Sequence, residues 1–526
     1  MKDLPTDIGS FSTIIENNYV YIDKTNYIHK MAKPGKKYFL SRPRRFGKSL
    51  LVSTIEELYG GNKHFFKHLA IYDNWDWTKN FPVLIIDFAS ITNKSPERLE
   101  KALMKYLIRK ARTYSIDFLS NELPDMFTEL IESINKITGK KVVVLIDEYD
   151  KAIVDNINDL DLALEIRRIL NSFYGALKTV DKHLEFLFVT GVSKFSKTSI
   201  FSGLNNLTDL TFNAEFANIC GYTQDDLETN FKDYLIKFSN DNNVSCDELL
   251  FMIKDWYDGY SWDGSNHLYN PYSILSFFTK GEFSDFWFET GTPTFLMDFI
   301  KNNIGTNVLF DKEPIISGNF PSFKLKKLDL TTLLLQTGYL TVKEKYVEFG
   351  ELTRYKLAIP NREVNNSLFT SIIEEYTTDD TLDTKILANK FLNSVININN
   401  EDLQEVLDIL VSSVPAILFG KIKKDIRETN FHIWFLSWLK LMGFFVLSEI
   451  SSSSGTLDVI LKKDNLIVVC ELKYGLSEDL AILSKKAISQ IKEKNYYSPY
   501  LEYDVILLGI GFGDREVKSL IEPLTK

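Results

Sequence analysis

The chain has 526 residues, which is too long for one hydrophobic core and predicts two to four domains. Hydrophobic residues make up 44% and charged residues 25%, as in soluble globular proteins, and the net charge of −10 disfavours non-specific binding to nucleic acid. The three cysteines form no CxxC pair, which argues against a disulfide framework or a zinc site and suits a reducing cytoplasm. The long apolar stretch 433–447 is shorter than the ~20 residues of a membrane span, so we expect a buried helix and no association with a membrane.

A short apolar run, a basic turn and the start of a helix follow one another between Tyr38 and Ser49. The turn ends in Gly47-Lys48-Ser49, which is the layout of a phosphate-binding loop. In such a loop, backbone N–H groups at a helix N-terminus face the anion, the Lys reaches the outer phosphates and the Ser hydroxyl binds Mg²⁺. The motif has glycine five positions before Gly47, where this chain has Arg42, so a basic turn that only caps a helix is the alternative.

A second element of the same site is predicted where the apolar, β-branched run 141–146 enters Asp147-Glu148. The run is typical of a central strand of a parallel sheet. A carboxylate at the end of such a strand lies beside the phosphate loop and holds Mg²⁺, and the neighbouring Glu orients or deprotonates the attacking water. A solvated acidic turn is the alternative, and the upstream Lys48, with helices in between, favours the Mg²⁺ site.

A further strand is predicted over Leu184–Thr190, followed by Gly191 and a polar turn. In additional-strand ATPases the strand between the two Walker strands ends in a polar residue that senses the γ-phosphate. Thr190 or Ser193 suits this task, and a capping role for either hydroxyl is an equal alternative. Strands and helices alternate from a short strand over Tyr19–Thr25 to this point, and they predict the α/β/α sandwich of a P-loop NTPase.

Three segments, Tyr21–Thr25, Arg42–Leu50 and Leu145–Asp150, together resemble the bacterial AAA-ATPase-like family. In that family the form Arg-Pro-Arg-Arg-Phe-Gly-Lys-Ser replaces the glycine-rich loop, so Arg42 fits the resemblance. Further matching motifs are Gly221-Tyr222-Thr223, Trp256–Tyr260, Tyr269-Asn270-Pro271, Gly338–Thr341 and Ile359–Val364. The resemblance implies that ATP and Mg²⁺ are bound, with Glu148 as a catalytic residue, Ser49 and Asp147 at the metal, and the nucleotide contacted by Arg42, Arg44, Arg45, Phe46, Gly47, Lys48, Ser49, Leu50, Asp147, Thr190 and Ser193.

The C-terminal region carries a second set of charged residues. Three successive strands are predicted, and the second contains Asp458, while the third contains Glu471 and Lys473 on one face, because strand side chains repeat every second residue. Asp458 and Glu471 are then suited to bind Mg²⁺ through oxygen, and Lys473 to position a water and stabilise developing phosphorane charge. A hairpin with a charged solvent face is the alternative.

This pattern resembles the PD-(D/E)XK nuclease superfamily. Carried over residue by residue, the resemblance assigns the catalytic core to Asp458, Glu471 and Lys473, a helix carboxylate to Glu428 and a later polar motif to Gln490. It implies a Mg²⁺ site, with Mn²⁺ as a substitute, and metal ligands Asp458 and Glu471. Members of that superfamily often have Arg two residues before the Asp. This chain has Thr456 at that position, so the backbone contact that such an Arg would make is not expected here.

The predicted fold class is α/β, with a P-loop NTPase sandwich, a helical and winged-helix middle region, and a C-terminal α/β domain like restriction endonucleases. The predicted boundaries are 1–215 for the ATPase domain, 216–370 for a helical lid with a winged-helix-like part, 371–415 for a helical linker and 416–526 for the nuclease-like domain.

The first functional hypothesis is an ATP-regulated, metal-dependent nuclease of the bacterial cytoplasm that acts on nucleic acid, with DNA favoured over RNA. The second is a nucleotide-dependent binding switch whose nuclease-like domain is inactive and serves recognition. A third, weaker hypothesis is a loop that no longer binds nucleotide because Arg42 and Arg44 occupy the site. A regulatory protein partner is compatible with the first two hypotheses, and the oligomeric state stays open.

Overall fold

The computed structural model forms two compact units. The first contains the described residues up to Val364, and the second contains those from Asn365 onward. The structure describes residues 1–194, 206–287, 315–317, 329–375, 384–413, 435–440, 445–452, 455–463, 465–475, 479–513 and 516–524. The described residues of the predicted ATPase segment and of the predicted lid up to Val364 thus lie in one unit, and the finer division into four segments stays a prediction.

The first unit is built around a five-stranded sheet in which every pairing is parallel. Its strands are β1 (Lys36–Ser41), β2 (Val83–Asp87), β3 (Val142–Asp147), β4 (Leu184–Gly191) and β5 (Thr208–Asp209). The order across the sheet is β2-β3-β4-β1-β5, so β4 lies between the strand that precedes the basic loop and the strand that ends in Asp147. The predicted P-loop-like α/β fold is confirmed, together with the place of the additional strand.

Helices cover this sheet because their apolar residues recur at helical spacing. They are α1 (Phe11–Glu16), α2 (Thr25–Met31), α3 (Lys48–Tyr59), α4 (Pro96–Arg112), α5 (Leu123–Thr138), α6 (Lys151–Val154) and α7 (Leu160–Thr179). In α4 the buried residues are Leu99, Leu103, Leu107 and Ala111, four apart, and the Ser95 side chain caps its first turn. Helix α5 ends at Gly139, whose positive φ of 68° suits the left-handed cap.

The rest of the first unit is mainly helical and rich in aromatic residues. Its elements are α8 (Gln224–Asn230), α9 (Lys232–Asn242), α10 (Cys246–Tyr257), α11 (Pro271–Lys280), β6 (Ile315–Ser317), α12 (Leu330–Thr337), β7 (Thr341–Tyr346) and β8 (Arg354–Ala358). Reciprocal capping boxes begin α8 at Thr223 and α10 at Ser245. The three strands form a small antiparallel sheet in the order β6-β8-β7. A helix followed by such a sheet agrees with the predicted arrangement of elements, while the winged-helix assignment stays a prediction.

The second unit contains a mixed five-stranded sheet. The remaining elements are α13 (Arg362–Glu375, in which the boundary between the units falls), α14 (Thr384–Ile396), α15 (Asn400–Ser413), β9 (Phe445–Ser452), β10 (Gly455–Lys463), β11 (Leu466–Tyr474), α16 (Leu480–Glu493), β12 (Asp504–Phe512) and β13 (Val517–Pro523). The order is β13-β12-β11-β10-β9, and only the β11–β12 pairing is parallel. The predicted C-terminal α/β domain is confirmed at this level.

Helix α16 packs closely on β12. A Cβ added at Gly509 would lie 2.3 Å from the carbonyl oxygen of Ser484, and one at Gly511 would lie 2.3 Å from that of Leu480, so both positions require glycine. On β13, the side-chain amide of Gln404 from α15 donates to the carbonyl of Val517. The segment predicted as a linker therefore contributes a helix that packs on the C-terminal sheet.

Two sequence predictions need a further comment. The strand expected over Tyr19–Thr25 is wrong, because residues 19–24 pair with no strand and α2 begins at Thr25. The Asp23 carboxylate, which accepts from the Thr25 amide at 2.8 Å and the Ala70 amide at 2.7 Å, fixes this segment instead. As for membranes, none of the described helices has the length and apolar character needed to cross one.

Candidate functional sites

The basic loop after β1 is anchored by Arg42, which is completely buried. Its guanidinium donates to the backbone carbonyls of Thr211 at 2.8 Å, Ala217 at 3.3 Å and Phe216 at 3.4 Å. It also stacks on the Trp262 ring, with 3.9 Å between the guanidinium carbon and the ring centroid. Burial lowers the pKa of Arg42 to about 10, so it stays charged at neutral pH. These contacts favour a structural role for Arg42, and the nucleotide contact implied by the resemblance stays a prediction.

Aromatic residues from the helical part of the first unit hold the rest of the loop. The ring of Phe46 is buried and lies edge-on to Tyr260, with ring centroids 4.9 Å apart. The indole Nε1 of Trp287 donates to the Arg44 carbonyl at 3.2 Å. A Cβ at Gly338, where φ is +96°, would lie 2.8 Å from the Pro43 ring. The loop is thus fixed at successive residues by packing and a hydrogen bond. A glycine-rich loop lacks the side chains for such packing.

Arg45 is the exposed member of the loop. Its guanidinium pairs with Asp7 at 2.7 Å and lies 4.7 Å from the centroid of the Tyr272 ring. Its φ of +65° is unusual for a residue with a side chain, and Gly47 at +87° makes the following turn into α3. Leu50 is partly buried in the first turn of that helix. The contacts of Arg44, Arg45 and Leu50 with described residues do not indicate that any of them binds a nucleotide, so these roles stay predictions.

Lys48, Ser49 and Asp147 are brought together at the carboxyl edge of the sheet. Lys48 Nζ is buried and donates to the Pro43 carbonyl at 2.8 Å, and burial lowers its pKa against the opposing charge of Asp147. Ser49 is exposed and its hydroxyl hydrogen-bonds to Asp147. Burial raises the pKa of Asp147 to about 6, although the Ser49 hydrogen bond and the Lys48 charge lower it. Hydroxyl and carboxylate oxygens side by side are the ligands that Mg²⁺ prefers.

The turn after Asp147 is tied to the end of β4. The buried carboxylate of Asp150 accepts from the amides of Ser193 at 2.6 Å and Val192 at 3.2 Å. A Cβ at Gly191 would lie only 2.2 Å from that carboxylate, so the close approach depends on glycine. Glu148 has a φ of +50°, is partly exposed, and its carboxylate has no hydrogen bond or ion pair with a described residue. It is therefore available to a water molecule.

Thr190 and Ser193 lie at the end of β4, beside this turn. The Thr190 hydroxyl is buried and has no hydrogen-bond partner among the described residues, although its carbonyl accepts from the Tyr149 amide. Ser193 is also buried, and its amide and carbonyl are used by Asp150 and by the Tyr149 hydroxyl. A buried hydroxyl left unsatisfied at a strand end needs an explanation, and a bound anion is one. The sensor role of either residue stays a prediction.

Sequence reasoning missed Asp87 and Asp150. Asp87 ends β2 directly opposite Asp147 in the ladder, and its negative charge helps to raise the pKa of Asp147. The signal was present, because an apolar strand that ends in Asp occurs at both positions. From the sequence, Asp150 is only the last residue of the Leu145–Asp150 motif, and its buried link to Ser193 depends on a contact between distant segments that no local pattern indicates.

We expect Arg42→Ala to lower the free energy of unfolding by about 3 kcal/mol, because four backbone carbonyls, those of Ser41, Thr211, Phe216 and Ala217, lose their donor. Arg42→Lys is expected to recover only part of this, since an ammonium cannot reproduce the planar fork. Urea denaturation of the full chain, followed by tryptophan fluorescence, checks both. Arg45→Ala, at an exposed neighbour, is the matched control and should stay within about 0.5 kcal/mol of the wild type. An Arg42→Ala protein as stable as this control contradicts the structural role.

The C-terminal site is formed at the junction of β10, β11 and α16. Lys473 Nζ donates to Glu471 Oε1 at 2.9 Å, and the side-chain amide of Gln490 donates to the same oxygen. The Asp458 amide donates to Glu471 Oε2 at 3.4 Å, and Asp458 Oδ2 accepts from the Leu472 amide at 2.7 Å. Four of the five residues that the sequence nominated therefore lie together, while Glu428 falls outside the described residues.

Burial and the neighbouring charge of Asp458 favour a cation beside the carboxylate of Glu471. Glu471 is 1% exposed, and this burial raises the pKa of its carboxyl. The negative charge of Asp458 raises the pKa further, and Lys473 lowers it. Two close carboxylates in a buried site repel each other, and a divalent cation offsets that repulsion. Asp458 and Glu471 supply hard oxygen donors that fit Mg²⁺ or Mn²⁺. Within the described ranges no group of three or more His, Cys, Asp or Glu is placed to hold a metal.

Glu363 is another buried carboxylate, in the first unit. It is fully buried, and it accepts hydrogen bonds from the Ser273 hydroxyl at 2.8 Å and the Trp287 amide at 2.8 Å. Burial raises the pKa of Glu363 to about 8, these hydrogen bonds lower it, and the negative charge of Asp285 raises it further. Trp287 links Glu363 to the basic loop, because its backbone amide donates to Glu363 and its indole donates to the Arg44 carbonyl.

We expect Glu363→Gln to leave stability nearly unchanged at pH 5 and to raise it relative to wild type at pH 8. The folded pKa of about 8 is above the ordinary 4.5, so the stability that this proton contributes is complete below about pH 4.5 and is lost as pH rises through 8. The loss is on the order of 1 kcal/mol per pH unit in that window. Melting temperatures of both proteins from pH 5 to 8.5 check this, with the exposed Glu351→Gln as control. A pH-independent difference between the variant and the wild type is the contrary result.

The two sites and their sheets define the class of protein. A basic loop between β1 and α3, with Lys48 and Asp147 at one edge of a parallel sheet in the order β2-β3-β4-β1-β5, is the architecture of an ATPase of the P-loop type. In the second unit, Asp458, Glu471 and Lys473 converge on a mixed sheet like that of metal-dependent nucleases.

Comparison with known proteins agrees with this classification. A family model described as "Predicted AAA-ATPase" matches residues 5–201, and a model of the PD-(D/E)XK nuclease superfamily matches residues 426–519. A protein of Azotobacter chroococcum mcd 1, described as "Uncharacterized protein in vnfD 5'region", is 33% identical over 531 residues, which cover 99% of this chain and 98% of that protein. The chain belongs to the AAA-ATPase-like family and carries a C-terminal domain of the PD-(D/E)XK nuclease superfamily.

Proposed function

We propose that the protein binds and hydrolyses ATP with Mg²⁺ in its first unit and cleaves phosphodiester bonds of nucleic acid, DNA in preference to RNA, in its second. The observation that carries the proposal is that Asp458, Lys473 and Gln490 all hydrogen-bond to the buried carboxylate of Glu471. In the first unit of the same chain, Lys48 lies near Asp147. Its three cysteines are free thiols, which suits action in a reducing cytoplasm.

In the ATPase step, Lys48 exchanges its hydrogen bond to Pro43 for the outer phosphates, and the N–H groups at the start of α3 face the same anion. Ser49 and Asp147 hold Mg²⁺, whose charge offsets that of the phosphates. Glu148 accepts a hydrogen bond from the attacking water, and the Thr190 hydroxyl donates to the transferred phosphoryl group. Asp150 keeps the strand ends that carry these groups in register.

In the nuclease step, Asp458 and Glu471 hold the divalent cation, and Glu428 contributes a further carboxylate. A divalent cation held there would supply Lewis-acid activation of a water molecule and of the scissile phosphate. Lys473 orients the attacking water and stabilises negative charge on the phosphate. Gln490 holds Glu471 in position through its amide hydrogen bond, while Leu472 does the same for Asp458 through its backbone N–H.

A binding switch with an inactive nuclease domain is the second candidate. One observation favours it, because Lys473 and Gln490 both donate to the same oxygen of Glu471 and partly neutralise the carboxylate on which cleavage depends. In this case ATP changes affinity for nucleic acid or for a regulatory protein, and no bond is broken. The hypothesis in which arginines fill the nucleotide site gains less support, since Arg42 is engaged by backbone carbonyls and Trp262.

The two candidates are separated by assaying ATP hydrolysis and nucleic-acid cleavage on the same preparations. Wild type, Lys48→Ala and Glu471→Gln are incubated with plasmid DNA or with RNA, in Mg²⁺, Mn²⁺ or EDTA, with and without ATP. The nuclease proposal requires metal-dependent cleavage that Glu471→Gln removes. An ATPase with no cleavage under any of these conditions, and with ATP-dependent binding, supports the switch. Absence of both ATP binding and cleavage rejects both candidates.

A further inference from the structure

A groove outside both candidate sites runs along α4 in the first unit. Its volume is about 470 Å³, and it is open to solvent. One wall is the face of α4 that carries Arg98, Lys101, Lys105 and Arg109, and the other wall includes Ser90 and Thr92. All four cationic side chains are exposed, and none of them forms an ion pair with a described residue. Among the residues that the structure describes, no acidic side chain lines the groove.

Helix stability does not require this row of cations, although Arg109, in the last turn, complements the helix dipole. Residues 98, 101, 105 and 109 are three or four apart, so their side chains lie on one face, opposite the buried Leu99, Leu103 and Leu107. Like charges at this spacing repel each other and destabilise a helix. The acidic residues of the same helix, Glu97 and Glu100, lie off the groove. In a chain of net charge −10, four unpaired cations along one groove indicate an anionic partner with several charges.

The geometry fits a chain of phosphates better than a single small anion. The successive cations are separated by about 4.5, 6 and 6 Å along the helix axis, and the whole row spans about 16 Å. Such a row matches repeated charges, whereas one phosphate needs convergent donors. The Arg109 guanidinium lies over the ring of Tyr106, 5.8 Å from its centroid, so an aromatic surface adjoins the cations. The Thr92 hydroxyl is a hydrogen-bond donor on the facing wall, whereas the Ser90 hydroxyl donates to the Asp87 carbonyl at 2.8 Å.

We propose that the α4 groove binds the phosphodiester backbone of a nucleic-acid strand without reading its sequence. Side chains of Lys and Arg on a helix face neutralise phosphates, and this electrostatic contact does not depend on the base sequence. The groove begins just after Asp87, at the sheet edge that carries Asp147. Binding there requires neither a metal ion nor ATP hydrolysis, so it is independent of the proposed catalytic function.

The test is fluorescence anisotropy of a labelled single-stranded oligonucleotide with the full chain in EDTA, which prevents cleavage. The quadruple variant R98E/K101E/K105E/R109E is compared with K33E/K36E/K232E/K237E, which makes the same change of net charge at exposed lysines that do not line the groove. The dissociation constant of the groove variant is expected to rise at least tenfold, and that of the control less than threefold. A milder variant, R98Q/K101Q/K105Q/R109Q, is expected to reduce the slope of log affinity against log salt by about 3, for four lost phosphate contacts.

Equal weakening in the two quadruple variants overturns the proposal, because net charge then accounts for binding. Wild-type protein that does not bind the oligonucleotide at low salt also overturns it. Polyglutamate that displaces the oligonucleotide at equal charge concentration assigns the groove to an acidic protein segment and rejects the nucleic-acid proposal. Circular dichroism melting of every variant guards against misfolding, and the glutamine variant keeps the test decisive if charge reversal unfolds the chain. Loss of ATPase or nuclease activity elsewhere does not affect these readouts.

Discussion

Glu471→Gln is expected to lower metal-dependent cleavage of nucleic acid by about 10³-fold or more and to leave ATP hydrolysis unchanged. Glutamine keeps the shape of the side chain and a hydrogen bond to Gln490, but it removes the negative charge that holds the cation. The residues of the site act as a unit, so loss of one member removes most of the rate enhancement. Asp458→Asn is expected to have an effect of similar size, since each of the two carboxylates accepts a backbone hydrogen bond across the junction of β10 and β11.

The measurement is a single-turnover cleavage assay with saturating protein, at several Mg²⁺ and Mn²⁺ concentrations. Glu516→Gln, an exposed glutamate before β13, is the matched control and should cleave at the wild-type rate. Metal titration separates two causes, because a lost ligand is partly rescued by more metal, while misfolding is not. Unchanged cleavage in both Glu471→Gln and Asp458→Asn would falsify the assignment of the site.

Lys48→Ala is expected to weaken the binding of ATP–Mg²⁺ by about 100-fold and to abolish hydrolysis. A charge-assisted hydrogen bond to phosphate contributes roughly 3 kcal/mol, which corresponds to about two orders of magnitude in affinity. Lys48 is buried near Asp147, Glu148 and Asp150, so solvent cannot replace its positive charge. The same substitution leaves the Pro43 carbonyl without its donor, so the melting temperature without nucleotide is measured beside the affinity.

Isothermal titration of the full chain with ATP–Mg²⁺ gives the affinity directly. Lys33→Ala, an exposed lysine in the turn before β1, removes an equal charge from the amino end of the same strand and serves as the control. Metal-dependent cleavage in the absence of ATP should survive Lys48→Ala, because the nuclease residues belong to the other unit. Wild-type affinity in Lys48→Ala contradicts the proposed role of the loop.

The sequence predicted those features that depend on local periodicity. The apolar runs 141–146 and 184–190 became β3 and β4, and the phosphate-loop motif together with the carboxylate after the first run led to Lys48, Ser49 and Asp147, which the structure places together. Strand alternation likewise put Glu471 and Lys473 on one face, and the hydrogen bond between them agrees with that. Patterns of this kind are set by neighbours in sequence, so they are readable without the fold.

Long-range contacts were not readable. The carbonyls that hold Arg42 and the Trp262 ring on which it stacks come from a part of the chain that follows all five strands of the sheet, so no window of sequence indicates the burial of its charge. The error over residues 19–24 has the same origin, because the alternation there reflects burial of Val20 and Ile22 among helices of the first unit. A period of two indicates a strand only where a partner strand is present.

The anchoring of the loop by Trp287 has a mechanical consequence. A glycine-rich loop has no such contacts, whereas here the Arg44 carbonyl accepts a hydrogen bond from the indole of Trp287. The backbone amide of Trp287 in turn donates to the carboxylate of Glu363. Glu363 lies in the first turn of α13, the helix within which the chain leaves the first unit and enters the second. The Arg44 carbonyl of the basic loop and the first turn of α13 are thus joined by two hydrogen bonds through Trp287, and removal of the indole breaks that connection.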